Sequence, residues 1–196
     1  MVPPVGRVSA DSAQPGTAES PVMKPVSASS SATRLTGLAP VVGPTSRVLI
    51  LGSFPGAASL AAGQYYAHRQ NRFWPIVGEV IGRDLVAMAY ADRLAALLDA
   101  GLALWDVYAA CEREGSLDSA IRLAEPNDFA ALRARAPRLA RICHNGRTSG
   151  KFAEHWRALG FDVRVLPSTS PANASIPHAV KLAAWRDALD LSTLAG

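Results

Sequence analysis

Two cysteines, Cys111 and Cys143, stand in a chain of 196 residues. That is too few for a disulfide-stapled scaffold, and no C-x-x-C pair offers a redox or zinc motif. A reducing, cytoplasmic setting is the simplest expectation. Long hydrophobic runs are missing as well. Val48-Leu49-Ile50-Leu51 is followed at once by Gly52-Ser53, and the alanine-rich stretch from Leu85 to Ala110 is broken by Asp92, Arg93, Asp99 and Asp106. Nothing approaches the roughly 18 apolar residues that span a bilayer. The N-terminus has no charged head followed by an apolar segment, which argues against a secretory signal. Neither G-x-G-x-x-G nor a G-K-[ST] phosphate loop is present, and the four histidines show no spacing that completes a metal site. Charge is sparse, at 18 % of residues, and 20 Lys+Arg against 16 Asp+Glu leave a net +4. This mildly basic balance tolerates a polyanionic partner without demanding one. The absences predict a soluble protein with no membrane partner and no metal.

What is present is enough apolar material, 49 % of the residues, to bury one sizeable core. Residues 1 to 45 stand apart from it. Ser29-Ser30-Ser31, the prolines from Pro3 to Pro44 and the near absence of aromatics describe a disordered Pro/Ser-rich tail. Such a segment buries too little apolar surface to offset its ordering entropy. From Ser46 onward strand and helix patterns alternate. Arg47 to Leu51, Leu102 to Trp105, Leu139 to Cys143 and Phe161 to Leu166 read as four strands. Helical spacing links Phe73, Ile76, Val77, Val80 and Ile81, and a second helix carries Leu94, Leu97 and Leu98 as far as Gly101. Asn127 is expected to cap a helix that Pro137 ends, another helix runs from Thr148 to Leu159, and Ser175 before Pro177 caps a last one reaching Leu189. The alternation predicts an α/β fold around a mostly parallel four-stranded sheet, with ligands at the carboxyl ends of the strands.

The unusual residues fall at those ends. The first loop, Gly52-Ser53-Phe54-Pro55-Gly56, lets backbone N–H groups approach an anion or a polar ring, or is an ordinary tight turn. Gln64-Tyr65-Tyr66-Ala67-His68-Arg69-Gln70-Asn71-Arg72-Phe73-Trp74 interleaves aromatics with cations. Aromatic faces stack on bases and arginines meet phosphates. Phe73 and Trp74 begin the helical periodicity and belong to the core, whereas Tyr65 and Tyr66 are candidates for a ligand wall. Asp106 closes the second strand as a base-edge acceptor, a helix cap or a solvated loop residue. Asn145-Gly146 is a turn signal, and Ser168-Thr169-Ser170 between two prolines makes a stiff, donor-rich loop suited to phosphates.

Taken together and in this order, these segments resemble the uracil-DNA glycosylase superfamily, and most closely its hypoxanthine-DNA (deoxyinosine) glycosylase branch. The resemblance rests on Leu51 to Gly56, Gln64 to His68, Asn71-x-Phe73-Trp74, Leu104 to Val107, Gly115 to Ser119 and Leu166 to Asn173. It implies a three-layer α/β/α sandwich and makes residues 46–192 a DNA glycosylase domain. The activity implied is hydrolysis of the N-glycosidic bond of a deaminated adenine flipped out of damaged DNA. It implies a monomer and neither metal nor organic cofactor. Asn71 is the implied catalytic residue, holding the attacking water, and Asp106 is a second candidate that either accepts from the N1–H of hypoxanthine or acts as general base. Gly52, Ser53, Phe54, Pro55, Gly56, Tyr66, Asn145 and Ser168 would bind the base, with Phe54 and Tyr66 sandwiching it and Gly146 shaping the floor. Ser59, Ser168, Thr169 and Ser170 would meet DNA phosphates, and Ala172 and Asn173 would lie at the wedge that fills the vacated stack. Two departures stand out. The asparagine that mismatch-specific relatives carry in the first loop is replaced by Ser53-Phe54, and Arg69 follows Ala-His where the family usually has proline. Lys151 and Lys181, the only lysines of the domain, lie outside the motif loops, so a Schiff base is not expected. A uracil-specific enzyme of the same fold, a non-catalytic nucleic-acid-binding module and a small-ligand domain are the alternatives.

Overall fold

The structure is a computed structural model, and it describes Met1 and residues 33–194. Its elements are, in chain order, β1 (Arg34–Thr36), β2 (Val48–Gly52), α1 (Ala57–Ala62), α2 (Phe73–Ile81), α3 (Tyr90–Asp99), β3 (Leu102–Asp106) and β4 (Tyr108–Glu112). There follow β5 (Arg122–Pro126), α4 (Leu132–Arg135), β6 (Arg141–Asn145), α5 (Arg147–Gly150), α6 (Ala153–Ala158), β7 (Asp162–Leu166) and α7 (His178–Leu189).

Four of the strands form the central sheet in the order β3-β2-β6-β7, and every neighbouring pair is parallel. Parallel strands buried on both faces need continuous apolar runs, and all five residues of β2 are buried. Side chains alternate across the sheet. Val48, Ile50, Leu102, Leu104 and Cys143 pack on one side with Phe73, Ile76 and Val77 of α2, Leu97 of α3 and Trp185 of α7. Leu49, Leu51, Ala103 and Ile142 pack on the other with Leu132 of α4 and Trp156 of α6. This is the mostly parallel α/β fold that the alternation of strands and helices predicts, in the three-layer arrangement that the resemblance implies. The chain first steps outward from β2 to β3 and then returns to pair β6 on the other side of β2. At such a reversal the loops diverge and leave a crevice at the carboxyl edge.

A second sheet was not legible in the sequence. β1, β4 and β5 form an antiparallel three-stranded sheet in the order β1-β4-β5. Its β1 falls inside the segment expected to be tail, and so does Val41, which bridges Leu104. Tyr65 adds to the docking of this segment, because its hydroxyl donates to the carbonyls of Leu38 and Ala39 at 3.3 and 3.1 Å. A few apolar residues suffice here because a finished sheet offers them partners. The expected tail from residue 2 to residue 32 lies outside the described residues.

Three local expectations change. The helix predicted after Asn127 shrinks to α4, and the Asn127 amide instead donates to the backbone carbonyl of Asp106 at 2.9 Å. The helix predicted from Thr148 to Leu159 breaks into α5 and α6. Ser175 caps nothing, for α7 is entered directly from Pro177. Among the described residues no helix is long and apolar enough to cross a membrane.

Candidate active site

The carboxyl ends of β2, β3, β6 and β7 open onto one cleft of about 860 Å³. Every candidate site residue lines it: Gly52 to Gly56, Ser59, Tyr66, Asn71, Asp106, Asn145, Ser168 to Ser170, Ala172 and Asn173. Parallel strands bring these scattered loops to one edge.

Asp106, the last residue of β3, lies in register with Gly52 of β2. A Cβ at position 52 would come within 2.2 Å of its Oδ1, so only glycine leaves room for the carboxylate. Asp106 is 4 % exposed, and its Oδ2 has no hydrogen-bond partner among the described residues. Burial raises its pKa, the charge of Asp118 raises it further, the Arg113 guanidinium opposes both, and the balance lies at about 7. The neighbouring Tyr66 hydroxyl is pushed far above its ordinary range by burial and then by Asp106, which keeps it a neutral donor. The cleft therefore holds one carboxyl group whose charge changes near neutrality.

Tyr66 adopts a left-handed backbone, φ 54°, a strained conformation for a residue with a side chain. Two contacts hold it there. Its ring stacks on Phe73, with centroids 3.9 Å apart and planes 16° from parallel, and its hydroxyl accepts from Asn145 Nδ2 at 3.2 Å. Tyr65, also expected at the ligand wall, does border the cleft, but it is only 3 % exposed and most of its ring packs into the core.

Asn145 has little left to offer a ligand. Its Oδ1 accepts the Thr169 N–H at 2.9 Å, and its Nδ2 also donates to Thr169 Oγ1 at 2.9 Å. It is a strut between β6, the Tyr66 loop and the loop after β7. Gly146 beside it has φ 101°, and a Cβ there would lie 3.0 Å from that of Ser168. Thr169 is fully buried in this strut, whereas Ser168 and Ser170 are half-buried. Their hydroxyls accept the N–H groups of Ser170 and Ala172 at 3.2 and 3.3 Å, which leaves each O–H free to donate outward. Ser59 is buried and accepts the Ala67 N–H at 3.2 Å.

Asn71 sits at the entrance to α2. Its Oδ1 accepts the Phe73 N–H at 3.0 Å, and the next residue, Arg72, donates its N–H to the Thr169 carbonyl at 3.0 Å. The side-chain carbonyl is thus fixed in direction, with a second lone pair unused among the described residues. A carbonyl so placed can hold a water.

Three residues of this site carried no role in the sequence reading. Arg113, 6 % exposed, lies 5.1 Å from the centroid of the Phe54 ring and donates to the carbonyls of Pro55 and Gly115. Asp118 accepts from Ser53 Oγ at 2.7 Å. Lys181 is buried in α7 and donates to the Asn173 carbonyl at 2.8 Å, bracing the loop after β7 from below. Arg113 follows a strand that was itself missed, and Lys181 looks in sequence like any helical surface lysine. Asp118 did stand within a motif, but only its contact shows what it does.

The comparisons with known proteins agree with this geometry. The sequence profile of the Uracil DNA glycosylase superfamily matches residues 39–189. A protein named Hypoxanthine DNA glycosylase from Methanosarcina barkeri is 42 % identical over 137 residues, 70 % of this chain and 87 % of that one. Its namesake from Methanosarcina acetivorans is 43 % identical over the same shares. The solution NMR structure of a protein from Methanosarcina acetivorans superimposes with a TM-score of 0.74 at 38 % identity, covering 80 % of this chain and 97 % of that one. With the doubly wound sheet and the cleft at its reversal, these matches place the chain: it belongs to the uracil DNA glycosylase superfamily, on the branch of the hypoxanthine DNA glycosylases.

Proposed function

We propose that this protein is a monofunctional DNA glycosylase that excises hypoxanthine, the deamination product of adenine, from damaged DNA. Water adds to C1′ of the flipped nucleotide, the bond from C1′ to the base breaks, and the base leaves with its electron pair. The reaction passes through an oxocarbenium-like sugar, so what the protein must supply is position and charge rather than a strong nucleophile. Asn71 is the catalytic residue of this reading. Its carbonyl, held by the Phe73 N–H, orients the water with the remaining lone pair.

The observation that carries the substrate assignment is the buried carboxylate of Asp106 on the same cleft, whose Oδ2 has no partner among the described residues. In its ionised form it accepts from the N1–H of hypoxanthine. Adenine presents a lone pair at N1 instead, and facing it with a buried carboxylate leaves two acceptors opposed. Discrimination against the undamaged base by that single proton belongs to the ionised carboxylate and strengthens as pH rises past about 7, since the protonated acid can donate to adenine N1. The Tyr66 face turned away from Phe73, together with Phe54, offers stacking surface, and the outward hydroxyls of Ser168 and Ser170 serve the flanking phosphates. Exposed Arg147 lines the cleft, and Arg69 and Arg72, also exposed, are chain neighbours of its lining residues Gln70 and Asn71. The reading takes the protein to act as a monomer in the cytoplasm without a cofactor. Buried, unpaired Cys111 and Cys143 suit a reducing compartment. We place the glycosylase domain at residues 33–192, since β1 and Val41 join it to what precedes residue 46.

The test uses duplex oligonucleotides with a single hypoxanthine, uracil or xanthine, incubated with the protein and resolved with and without hot alkali. Alkali-dependent cleavage at hypoxanthine is the expected result. Cleavage only at uracil would keep fold and mechanism but change the base, because the N3–H of uracil also meets a carboxylate. No cleavage by the folded protein on any substrate would leave a binding module.

A further inference from the structure

Arg113, the residue after β4, is costly to the fold. A guanidinium stays charged at any pH the protein meets, and burying a charge without a counter-ion is unfavourable. Arg113 is only 6 % exposed, joins no ion pair among the described residues, and its Nη1 has no hydrogen-bond partner there. An apolar side chain of similar size would serve packing at least as well. The charge therefore points to the site beside it. Its Nη2 donates to the Pro55 carbonyl and its Nε to the Gly115 carbonyl at 3.1 Å, so the fork spans the first loop and the turn that carries Asp118. Its Cζ lies 5.1 Å from the centroid of the Phe54 ring, within reach of a cation–π attraction. The same turn is tied to the first loop again by Ser53 Oγ, which donates to Asp118 Oδ1 at 2.7 Å. Asp106 and Asp118 both line the cleft. Of the other groups that face Asp106, Tyr65 and Tyr66 are kept neutral by burial, Asp118 is a like charge, and Arg113 is the cation.

We propose that Arg113 is a positioning residue for Asp106: fixed behind the Phe54 ring by two carbonyls, it supplies the buried positive charge against which the Asp106 carboxylate is held in the base pocket. This rests on the glycosylase reading, in which Asp106 accepts from the base, and it gives a role to a side chain that does not itself line the cleft. Without the guanidinium, Asp106 would stand buried with Asp118 as its charged neighbour and would keep its proton to higher pH. The fork and the charge are separable, because lysine carries the second without the first.

The experiment follows Asp106 in the free protein through the carboxyl-carbon NMR signal of isotope-labelled aspartate, identified by its loss in Asp106→Asn. Single-turnover excision of hypoxanthine is followed over the same pH range. We expect Arg113→Gln to raise the midpoint of both curves by about one pH unit, and Arg113→Lys, which keeps the charge, to bring it back. A midpoint that Arg113→Gln moves by less than about half a unit, or a rise that lysine leaves in full, overturns the proposal. A merely structural defect would lower the excision rate at every pH and leave the midpoint in place. Where Arg113→Gln does not fold, its combination with Asp118→Asn, which removes one charge of each sign, is compared with Asp118→Asn alone. The double variant should titrate higher, and equal midpoints overturn the proposal. If the wild-type protein excises no hypoxanthine while the Asp106 signal moves as expected, the glycosylase reading fails and the role of Arg113 stands.

Discussion

At the scale of single residues, the site sets two carbonyl-bearing groups to different tasks, and substitution separates them. Asn71→Ala removes the group that orients water, and we expect single-turnover excision to be lost while lesion affinity stays within about tenfold, roughly 1.4 kcal/mol. Because Asn71 also receives the Phe73 N–H in a turn just ahead of the helix, the alanine variant loses about 1 kcal/mol of stability with that hydrogen bond. Asn71→Asp keeps an acceptor there, so a thermal melt of both variants distinguishes lost chemistry from lost structure. Asp106 is best read through pH. Its pKa of about 7 means that the accepting carboxylate forms only as pH rises through neutrality, so excision of hypoxanthine should climb between pH 6 and 8 with a midpoint near 7. Asp106→Asn should flatten that climb. Stability runs the opposite way. The folded pKa lies above the unfolded one, so the buried group is harmless below pH 4, costs progressively more stability as pH rises from about 4 to 7, and costs no more above that. Asp106→Asn should accordingly leave the melting free energy unchanged at pH 4 and raise it at pH 8, by at most about 4 kcal/mol.

At the scale of elements, the predictions concern how strand ends meet. Gly146 joins β6 to α5 with a positive φ and stands against Ser168, so Gly146→Ala meets both strain and a close contact. We expect a loss of roughly 1–3 kcal/mol in chemical denaturation, with excision falling through displacement of the Ser168 loop. The same scale shows what a sequence can and cannot disclose. The four core strands were legible because each is a short, largely apolar run that stops at a glycine, a carboxylate or a proline, and all but the edge strand β7 are buried on both faces. β5 is not: Arg122-Leu123-Ala124-Glu125-Pro126 is mostly exposed, and Leu123 carries φ 43°, so neither burial nor alternation marks it as a strand. It exists because β4 offers it hydrogen bonds, a fact about pairing rather than composition. The cleft residues were legible as loops in the right order, whereas Arg113, Lys181 and the reach of Asp118 depend on contacts between distant segments.

At the scale of the whole molecule, the boundary of the domain is open to test. Removal of residues 1–32 should leave melting temperature and excision unchanged within error, whereas removal through residue 45 takes away β1 and the Val41 bridge and should lower both. Binding of lesion-bearing duplex should weaken steeply with salt, because phosphate contacts release counterions. A plot of log affinity against log salt with no slope would argue against a DNA-tracking surface altogether.

The strut at Asn145 carries one more consequence. It ties the Tyr66 loop to the loop after β7, and the Arg72 N–H repeats that tie from α2. Two walls of the cleft are thereby joined to each other, to β6 and to α2, so they come apart only as these elements do. Catalysis and folding should share one cooperative transition: on heating, activity should vanish at the temperature where the sheet melts, with no inactive but folded interval. Asn145→Ala would open that interval, giving a protein whose activity fails several degrees before its structure.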